Sequence, residues 1–263
     1  MISDCHLHTC FSSDSDAGAD CMARQAAGLG MERICVTDHF DMDYPGGEFY
    51  LDTEAYLKKL QELKEQWKGR LDIRFGVELG LQPHLADRIR EYAGKWPFDY
   101  IIGSVHLVNG LDPYYREQYP GSDSSLYREY FECTLENIRR PLEIQSLGHL
   151  DYVVRYGREK EKAYSCREYA EVIDEILREL IRRGIALEVN SGGLKYGLGF
   201  PNPHPDILKR YRELGGEMVT VGSDAHRPEE VGYGFGQVRE ILLDCGFKYF
   251  TEFSDRKPVF TRL

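Results

Sequence analysis

The sequence lacks long hydrophobic runs, Cys-x-x-Cys pairs and an excess of basic residues. No apolar stretch approaches the about 20 residues that cross a bilayer, so we expect no membrane association. Lysine and arginine number 33 against 44 acidic residues, and the resulting net charge of -11 argues against binding to a nucleic-acid backbone. The seven cysteines are scattered, which favours reduced thiols over disulfides or a thiolate zinc site.

The amino terminus lacks the pattern of a signal peptide. Asp4, His6 and His8 interrupt the short apolar segment, and no basic segment precedes it. We therefore expect a cytoplasmic protein. The length of 263 residues suits one α/β barrel, so we predict a single domain over residues 1–263.

Short apolar runs alternate with longer amphipathic segments, as is typical of a parallel sheet built from βα units. The runs predict strands at 1–8, 33–39, 72–78, 99–106, 142–149, 185–190 and 217–224. The segments between them predict helices at 19–29, 53–68, 83–94, 124–140, 166–183, 204–215 and 228–244. For the helix at 166–183, Ser165 and Glu168 predict a capping box and Gly184 predicts the end. The irregular segment 108–125 predicts a lid or a binding loop.

Side chains that can bind metals gather at one end of the predicted strands. His6 and His8 are two apart, so both imidazoles leave a strand on the same side. The carboxyl ends of barrel strands converge on one face, where the active sites of such barrels lie. The residues at or just after these ends are His6, His8, His39, Glu78, His106, His149, Asp224 and His226, and Asp14 joins them from the first loop.

Each of these residues also has an ordinary structural explanation. A single histidine at a strand end is more often a hydrogen-bonded structural residue, and Glu78 could form a buried salt bridge. Six of the eight histidines share this rim, however, whereas structural roles would scatter them. His84 and His204 lie beside prolines, and we interpret them as surface or capping residues.

The donor atoms on this rim are imidazole nitrogens and carboxylate oxygens, without thiolates. This set suits zinc, manganese or iron, and the sequence does not choose among them. Nine candidate ligands are too many for one tetrahedral ion. The sequence therefore predicts two or three divalent metal ions that share bridging carboxylates.

The motifs resemble those of the polymerase and histidinol phosphatase (PHP) superfamily of metal-dependent phosphoesterases. "DCHLH", "TDH", "GSVH" with the later "GH", and "GSDAH" occur in order and cover nearly the whole chain. The length, "HTCFSSDSDA" and "DYIIGSVHLVNG" are most similar to the stand-alone histidinol-phosphate phosphatases of histidine biosynthesis. The resemblance implies a distorted (β/α)7 barrel with a trinuclear metal centre, and a small phosphorylated metabolite, L-histidinol phosphate, as substrate.

The resemblance also implies which residues bind each ion. The groups are His6, His8, Glu78 and Asp224 for one ion, Glu78, His106 and His149 for a second, and Asp14, His39 and His226 for a third. Many members of the superfamily carry histidine where this chain has Asp14, so the third ion is the least defined.

The catalytic candidates are Glu78, Asp224 and His226. Glu78 would bridge two ions, and Asp224 or His226 would give a proton to the leaving oxygen, with Asp224 favoured.

The sequence leaves three other hypotheses about function open. They are a PHP-type phosphoesterase acting on phosphotyrosine or nucleotides, a non-catalytic module of the kind attached to DNA polymerases, and a metal site that only stabilises the fold.

The substrate-binding candidates are cations near the rim. Arg155 lies six residues past His149 and could grip a phosphate through its guanidinium fork, although a surface arginine is as good an explanation. Lys195 is a weaker candidate, and Asn190 lies at the end of the preceding strand. The amine and imidazole of histidinol require acidic or aromatic neighbours, for which the candidates are Asp41, Asp43 and Tyr44.

Overall fold

The computed structural model describes residues 1–160, 162 and 164–263. The strands of its main sheet are β1 (Ser3–Leu7), β2 (Arg33–Val36), β3 (His39–Phe40), β4 (Asp72–Gly80), β5 (Tyr100–Ser104), β6 (Ser146–Leu147), β7 (Ala186–Asn190) and β8 (Val219–Gly222). All pair in parallel in the order β1-β2-β4-β5-β6-β7-β8, and β3 pairs with β4. A bridge between Leu7 and Ala225 brings the two edges together. This nearly closed sheet confirms the predicted distorted (β/α)7 barrel.

Helices surround the sheet and bury their apolar faces against it. They are α1 (Ala19–Gly28), α2 (Thr53–Trp67), α3 (Ala86–Lys95), α4 (Asp123–Ile138), α5 (Ala170–Arg183), α6 (Gly192–Lys195), α7 (Pro205–Glu213) and α8 (Phe235–Asp244). His204 caps α7, because its side chain accepts a hydrogen bond from the Asp206 N–H, as its position predicted. Within the described part of the chain, no helix is both long and apolar enough to cross a membrane.

The start of α5 differs from the prediction. The Ser165 side chain makes no capping hydrogen bond, and Cys166–Tyr169 form a 3₁₀ turn before α5 begins at Ala170. The predicted capping box is therefore wrong. Gly184 adopts a left-handed φ of 68° and ends the helix, as predicted.

A carboxyl-terminal hairpin was not predicted. Its strands β9 (Tyr249–Ser254) and β10 (Lys257–Arg262) are antiparallel. Arg33, at the start of β2, donates to Glu252 at 2.8 Å, and the Phe253 ring stacks on Tyr100, at the start of β5. The hairpin thus packs against the amino-terminal ends of the strands and leaves the carboxyl-terminal ends free for a site.

Candidate metal centre

The nine residues predicted as metal ligands all lie at the carboxyl-terminal end of the barrel. Strand β1 carries His6 and ends just before His8, β3 begins at His39, and β4 carries Glu78. The register of β3 on β4 sets His39 directly beside Glu78. The remaining candidates, His106, His149, Asp224 and His226, follow strands β5, β6 and β8, and Asp14 lies in the loop after β1.

Glu78 stands at the centre of the cluster and is fully buried. Its Oε2 lies 3.2 Å from His6 Nε2, 3.5 Å from His8 Nε2 and 3.1 Å from His39 Nδ1. One carboxylate oxygen therefore faces three imidazole nitrogens, which is the arrangement expected around a bound cation.

The other oxygen of Glu78 faces a second pair of imidazoles. Its Oε1 lies 2.9 Å from His149 Nε2 and 3.3 Å from His106 Nε2, and it accepts a hydrogen bond from Ser104 Oγ at 2.6 Å. The two oxygens thus face different sets of imidazoles, as a carboxylate that bridges two ions would.

Asp224 and Asp14 supply carboxylates on the sides of the cluster. Asp224 Oδ1 lies 3.3 Å from His8 Nε2 and 3.8 Å from His6 Nε2. Asp14 Oδ2 lies 3.0 Å from His226 Nε2 and 3.6 Å from His39 Nε2. The structure therefore brings together all three groups of ligands that the resemblance implied.

The donor atoms fit divalent cations. His6 Nε2 and His8 Nε2 are only 3.1 Å apart, and two ring nitrogens repel at that distance unless a proton or a cation lies between them. Glu78 Oε2 and His39 Nδ1 are buried and, although 3.1 Å apart, form no hydrogen bond with each other or with any other described residue. Each such atom would cost about 1–3 kcal/mol if it stayed unpaired. Imidazole and carboxylate donors without thiolate are typical ligands of zinc, manganese and iron.

The surroundings of Glu78 and His8 hold these two side chains in the forms that bind metals. Burial would raise the pKa of Glu78, but His6, His39 and His106 hold that pKa well below its usual value. Burial and the nearby His226 and His39 hold the pKa of His8 well below its usual value. Glu78 is therefore an anion and His8 a neutral imidazole, the forms that bind metals.

Glu188, which was not predicted as a site residue, orients one of the predicted ligands from the side away from the cluster. Its Oε1 lies 2.6 Å from His6 Nδ1, and its Oε2 accepts a hydrogen bond from the His149 N–H at 2.8 Å. The first contact places a proton on His6 Nδ1 and leaves Nε2 free for a metal. Glu188 is almost fully buried.

Asp41 has the same relation to His106. Asp41 Oδ2 lies 2.6 Å from His106 Nδ1, so the Nε2 atom of this imidazole is free to face Glu78. Gly80 makes room for this contact, because a Cβ at residue 80 would lie 2.4 Å from Asp41 Cγ. Asp41 was predicted as a substrate contact. It lines the cavity above the cluster, but it also fixes a predicted metal ligand.

Ser12 and Asp38 hold the first loop. Ser12 Oγ donates to Asp38 at 2.7 Å, accepts from the His39 N–H at 2.9 Å and lies 3.1 Å from His8 Nδ1. Asp38 also accepts hydrogen bonds from the N–H and hydroxyl of Thr9. One hydroxyl thus links two predicted ligands from separate strands.

A cavity of about 580 Å³ opens above the cluster. Arg155, in the 3₁₀ turn Tyr152–Tyr156, forms part of its wall. The guanidinium of Arg155 lies 4.9, 4.8 and 4.6 Å from the ring centres of Tyr152, Tyr156 and Tyr196. Its Nε is buried and has no hydrogen-bond partner in the described part of the chain. The arginine is thus fixed by aromatic rings and available to an anion.

The other two predicted substrate contacts have protein partners. Lys195 Nζ donates to the backbone oxygen of Asp224 and to the carboxylate of Glu230, both at 2.9 Å. Asn190 is 1% exposed and donates to Glu188 at 3.3 Å. These contacts give both side chains a role in holding the site rather than in lining the cavity.

The remaining two candidates for the amine and imidazole of histidinol separate in the structure. Asp43 pairs with Arg88 at 2.8 Å and lies near the exposed His84, on the surface. Tyr44 lines the cavity and donates its hydroxyl hydrogen to Asp112 at 2.7 Å. Of this pair, Tyr44 is therefore placed to meet a ligand.

We expect Glu188→Gln to weaken metal binding about 10- to 100-fold, because an amide no longer fixes the His6 tautomer with an anionic acceptor. The measurement is metal content after dialysis against graded concentrations of a chelator. Glu217→Gln, in the exposed pair with Arg212, is the matched control and should retain metal like the unchanged protein. Equal metal retention by Glu188→Gln and this control would contradict the assignment.

A nearly closed parallel barrel with clustered imidazoles and carboxylates at its strand ends, beneath a cavity with an arginine in its wall, defines the class of a metal-dependent phosphatase. The PHP domain family matches residues 4–192, more than half of the chain. The chain belongs to the PHP family.

Similar proteins extend this relationship over nearly the full length. A probable histidinol-phosphatase of Clostridium acetobutylicum is 34% identical over 253 residues, covering 94% of this chain and 95% of that protein. The histidinol-phosphatase of Lactococcus lactis is 30% identical over 266 residues, covering 97% and 95%. The crystal structure of histidinol phosphate phosphatase from Lactococcus lactis, complexed with zinc, L-histidinol and phosphate, has a TM-score of 0.89 at 29% identity and covers 98% of each chain.

Proposed function

We propose that this protein hydrolyses L-histidinol phosphate to L-histidinol and phosphate in histidine biosynthesis. The observation that carries the proposal is the position of Arg155 on the wall of a cavity that also reaches Glu78, His106 and His149. A phosphate held by this arginine would lie next to the predicted metal ligands. The full-length similarity to histidinol-phosphatases of two bacteria supports the choice of substrate.

We propose that two or three divalent metal ions bind to the cluster. The residues that would hold them are His6, His8, Glu78 and Asp224, then Glu78, His106 and His149, and then Asp14, His39 and His226. When bound, such cations polarise the phosphoryl oxygens and lower the pKa of water. Zinc is the ion in the Lactococcus lactis complex, and manganese and iron also suit the donor set.

The chain's own groups bind and orient the substrate. Arg155 presents the fork of its guanidinium to the phosphoryl oxygens, whose charge grows as the bond to the leaving oxygen stretches. The tyrosine rings around Arg155 restrict its rotation, so little ordering is required when substrate binds. Asp224 and His226 both line the cavity. Burial would raise the pKa of Asp224, but the nearby histidines hold it well below its usual value, so this carboxylate has no proton to give. Burial would lower the pKa of His226, but the nearby aspartates hold it above its usual value, so His226 is the group that gives a proton to the leaving alkoxide.

The wall of the cavity also carries acidic groups suited to a cationic leaving group. Asp112 and Glu48 line the cavity, and Asp112 is oriented by its hydrogen bond with Tyr44. The ammonium and imidazole of histidinol phosphate are complementary to this charge. The additional phosphates of a nucleotide would meet carboxylates instead.

We expect the metal-loaded enzyme to hydrolyse L-histidinol phosphate about 10- to 100-fold better in kcat/KM than p-nitrophenyl phosphate, because one charge-assisted contact to the ammonium contributes about 1.5–3 kcal/mol. A chelator should abolish both activities, and added zinc, manganese or iron should restore them. The measurement is a phosphate-release assay over both substrates, phosphotyrosine and a nucleoside monophosphate. Equal kcat/KM for all four substrates would contradict the choice of substrate, and full activity in chelator would contradict the metal mechanism.

We also propose that residues 1–263 form one domain. One large contiguous core contains buried apolar side chains from Leu7 to Phe250, and only a small second cluster, which includes Tyr100 and Phe253, is separate from it; this supports the proposal. The seven cysteines are free thiols, in line with the expectation from their spacing. A cytoplasmic location stays a prediction.

A further inference from the structure

Two neighbouring loops supply much of the cavity wall above the metal centre. The loop 105–122, between β5 and α4, contributes Asp112, Tyr114 and Tyr115. The turn Tyr152–Tyr156 contributes Arg155. The loops meet at the mouth of the cavity, where the Tyr114 and Tyr156 rings pack edge to face with centres 5.8 Å apart.

Asp123, the first residue of α4, holds the first of these loops. Its Oδ1 accepts hydrogen bonds from Nε and Nη2 of Arg116 at 3.2 and 2.9 Å. The same guanidinium donates to the backbone oxygens of Tyr119 and Gly121, at 2.7 and 3.1 Å. Asp123 and Arg116 are both buried, at 8% and 9% exposure. The second half of the loop is therefore folded around one buried ion pair.

The other oxygen of Asp123 binds the chain just after the turn Tyr152–Tyr156. Asp123 Oδ2 accepts a hydrogen bond from the backbone N–H of Glu159 at 3.0 Å, close behind the turn that carries Arg155. Gly157 allows this approach, because a Cβ there would lie 3.0 Å from Asp123 Oδ2 and would collide with the Tyr127 hydroxyl. Burial would raise the pKa of Asp123, but the backbone N–H groups of Glu159 and Arg158 and the Arg116 side chain hold it below its usual value.

We propose that Asp123 is a positioning residue for substrate binding, which fixes the Arg155 turn against the 105–122 loop. The inference rests on the proposed hydrolysis of a phosphomonoester and deepens it. The side chain of Asp123 is not part of the cavity lining, so it acts through the groups that are. A carboxylate that bonds both loops keeps them in place before substrate arrives, which reduces the ordering required on binding.

The test is Asp123→Asn, which keeps the shape of the side chain but removes its charge and one acceptor. We expect KM for L-histidinol phosphate and the inhibition constant of orthophosphate each to rise about tenfold, because the phosphate site is less well ordered. The number of bound metal ions should stay unchanged. Asp174→Asn is the matched control, since Asp174 pairs with Arg210 at 2.7 Å on the outer surface of α5. It should change neither constant.

A double-mutant cycle separates positioning from general stabilisation. If Asp123 acts through Arg155, Asp123→Asn should raise KM much less in an Arg155→Lys background than in the unchanged protein. If Asp123→Asn raised KM by the same factor in both backgrounds, the two residues would act independently and the proposal would be overturned. A lower unfolding temperature with both constants unmoved would overturn it as well.

A second variant and a second substrate keep the test decisive. If Asp123→Asn does not fold, Arg116→Lys retains the charge but loses the fork, and it should raise KM in the same direction. Assays with L-histidinol phosphate and p-nitrophenyl phosphate distinguish a failure of the proposed substrate from a failure of the Asp123 proposal. Failure of the substrate choice appears as equal kcat/KM for L-histidinol phosphate and p-nitrophenyl phosphate in the unchanged protein, whereas failure of the Asp123 proposal appears as an unmoved KM for both substrates in the variants.

Discussion

Replacing Glu78 with glutamine is expected to reduce bound metal and to lower kcat by about 10³-fold or more, because the reaction then loses most of its charge stabilisation. Oε2 of this carboxylate faces three imidazole nitrogens and Oε1 faces two more. An amide of the same shape has no charge and only one acceptor oxygen. It would turn an N–H group towards one of the imidazole sets, which is incompatible with a shared cation.

The measurements are metal analysis of the purified variant and phosphate release from L-histidinol phosphate. Glu252→Gln is the matched control, because Glu252 is also a buried glutamate but pairs with Arg33 at the opposite end of the barrel. The control should lose stability and retain its metal. Normal metal content and a normal rate in Glu78→Gln would remove Glu78 from the centre of the site.

The positions of the predicted ligands followed from one geometric property of parallel barrels. The residues at the carboxyl ends of the strands converge, so a list of strand ends was sufficient to place His6, Glu78 and Asp224 together. The residues at the strand ends converge in the structure even though the predicted strand lengths were only approximate. The predicted strand at 142–149, for example, is only two residues long in the structure, yet His149 still reaches Glu78.

The residues behind the ligands were harder to predict. Glu188 lies in an apolar strand, as Glu78 does, and a buried carboxylate in such a strand requires a partner. That signal was present in the sequence and was not used. The contact of Asp41 with His106 depends on the absence of a side chain at Gly80 in the neighbouring strand, which no local pattern reveals.

The hairpin β9–β10 was missed for a different reason. Its turn residues Asp255 and Arg256 both have left-handed φ angles, 47° and 62°. Hairpin turns with this backbone usually contain glycine or asparagine, so the strongest sequence signal for a hairpin is absent here. At Ser165, by contrast, the sequence signal of a capping box was present, but the chain there forms a 3₁₀ turn and the capping hydrogen bond is not made.

The second large effect is expected for Arg155. Arg155→Gln should lower kcat/KM for L-histidinol phosphate about 100- to 1000-fold, as does the loss of a single preorganised donor to a transition-state oxygen in other enzymes. The side chain is already held by Tyr152, Tyr156 and Tyr196, and its buried Nε has no partner among the described residues. Its interaction with the phosphoryl group therefore requires little reordering of the side chain.

Arg155→Lys tests whether charge or shape matters more. A lysine keeps the positive charge but cannot form two parallel hydrogen bonds or stack on three rings, so its activity should lie between those of Arg155→Gln and the unchanged enzyme. Arg88→Gln, in the surface pair with Asp43, is the control and should leave kcat/KM unchanged. Bound metal should be equal in all four proteins, because the guanidinium is not a metal ligand. If both Arg155 variants kept full kcat/KM, the phosphate would have to bind elsewhere in the cavity.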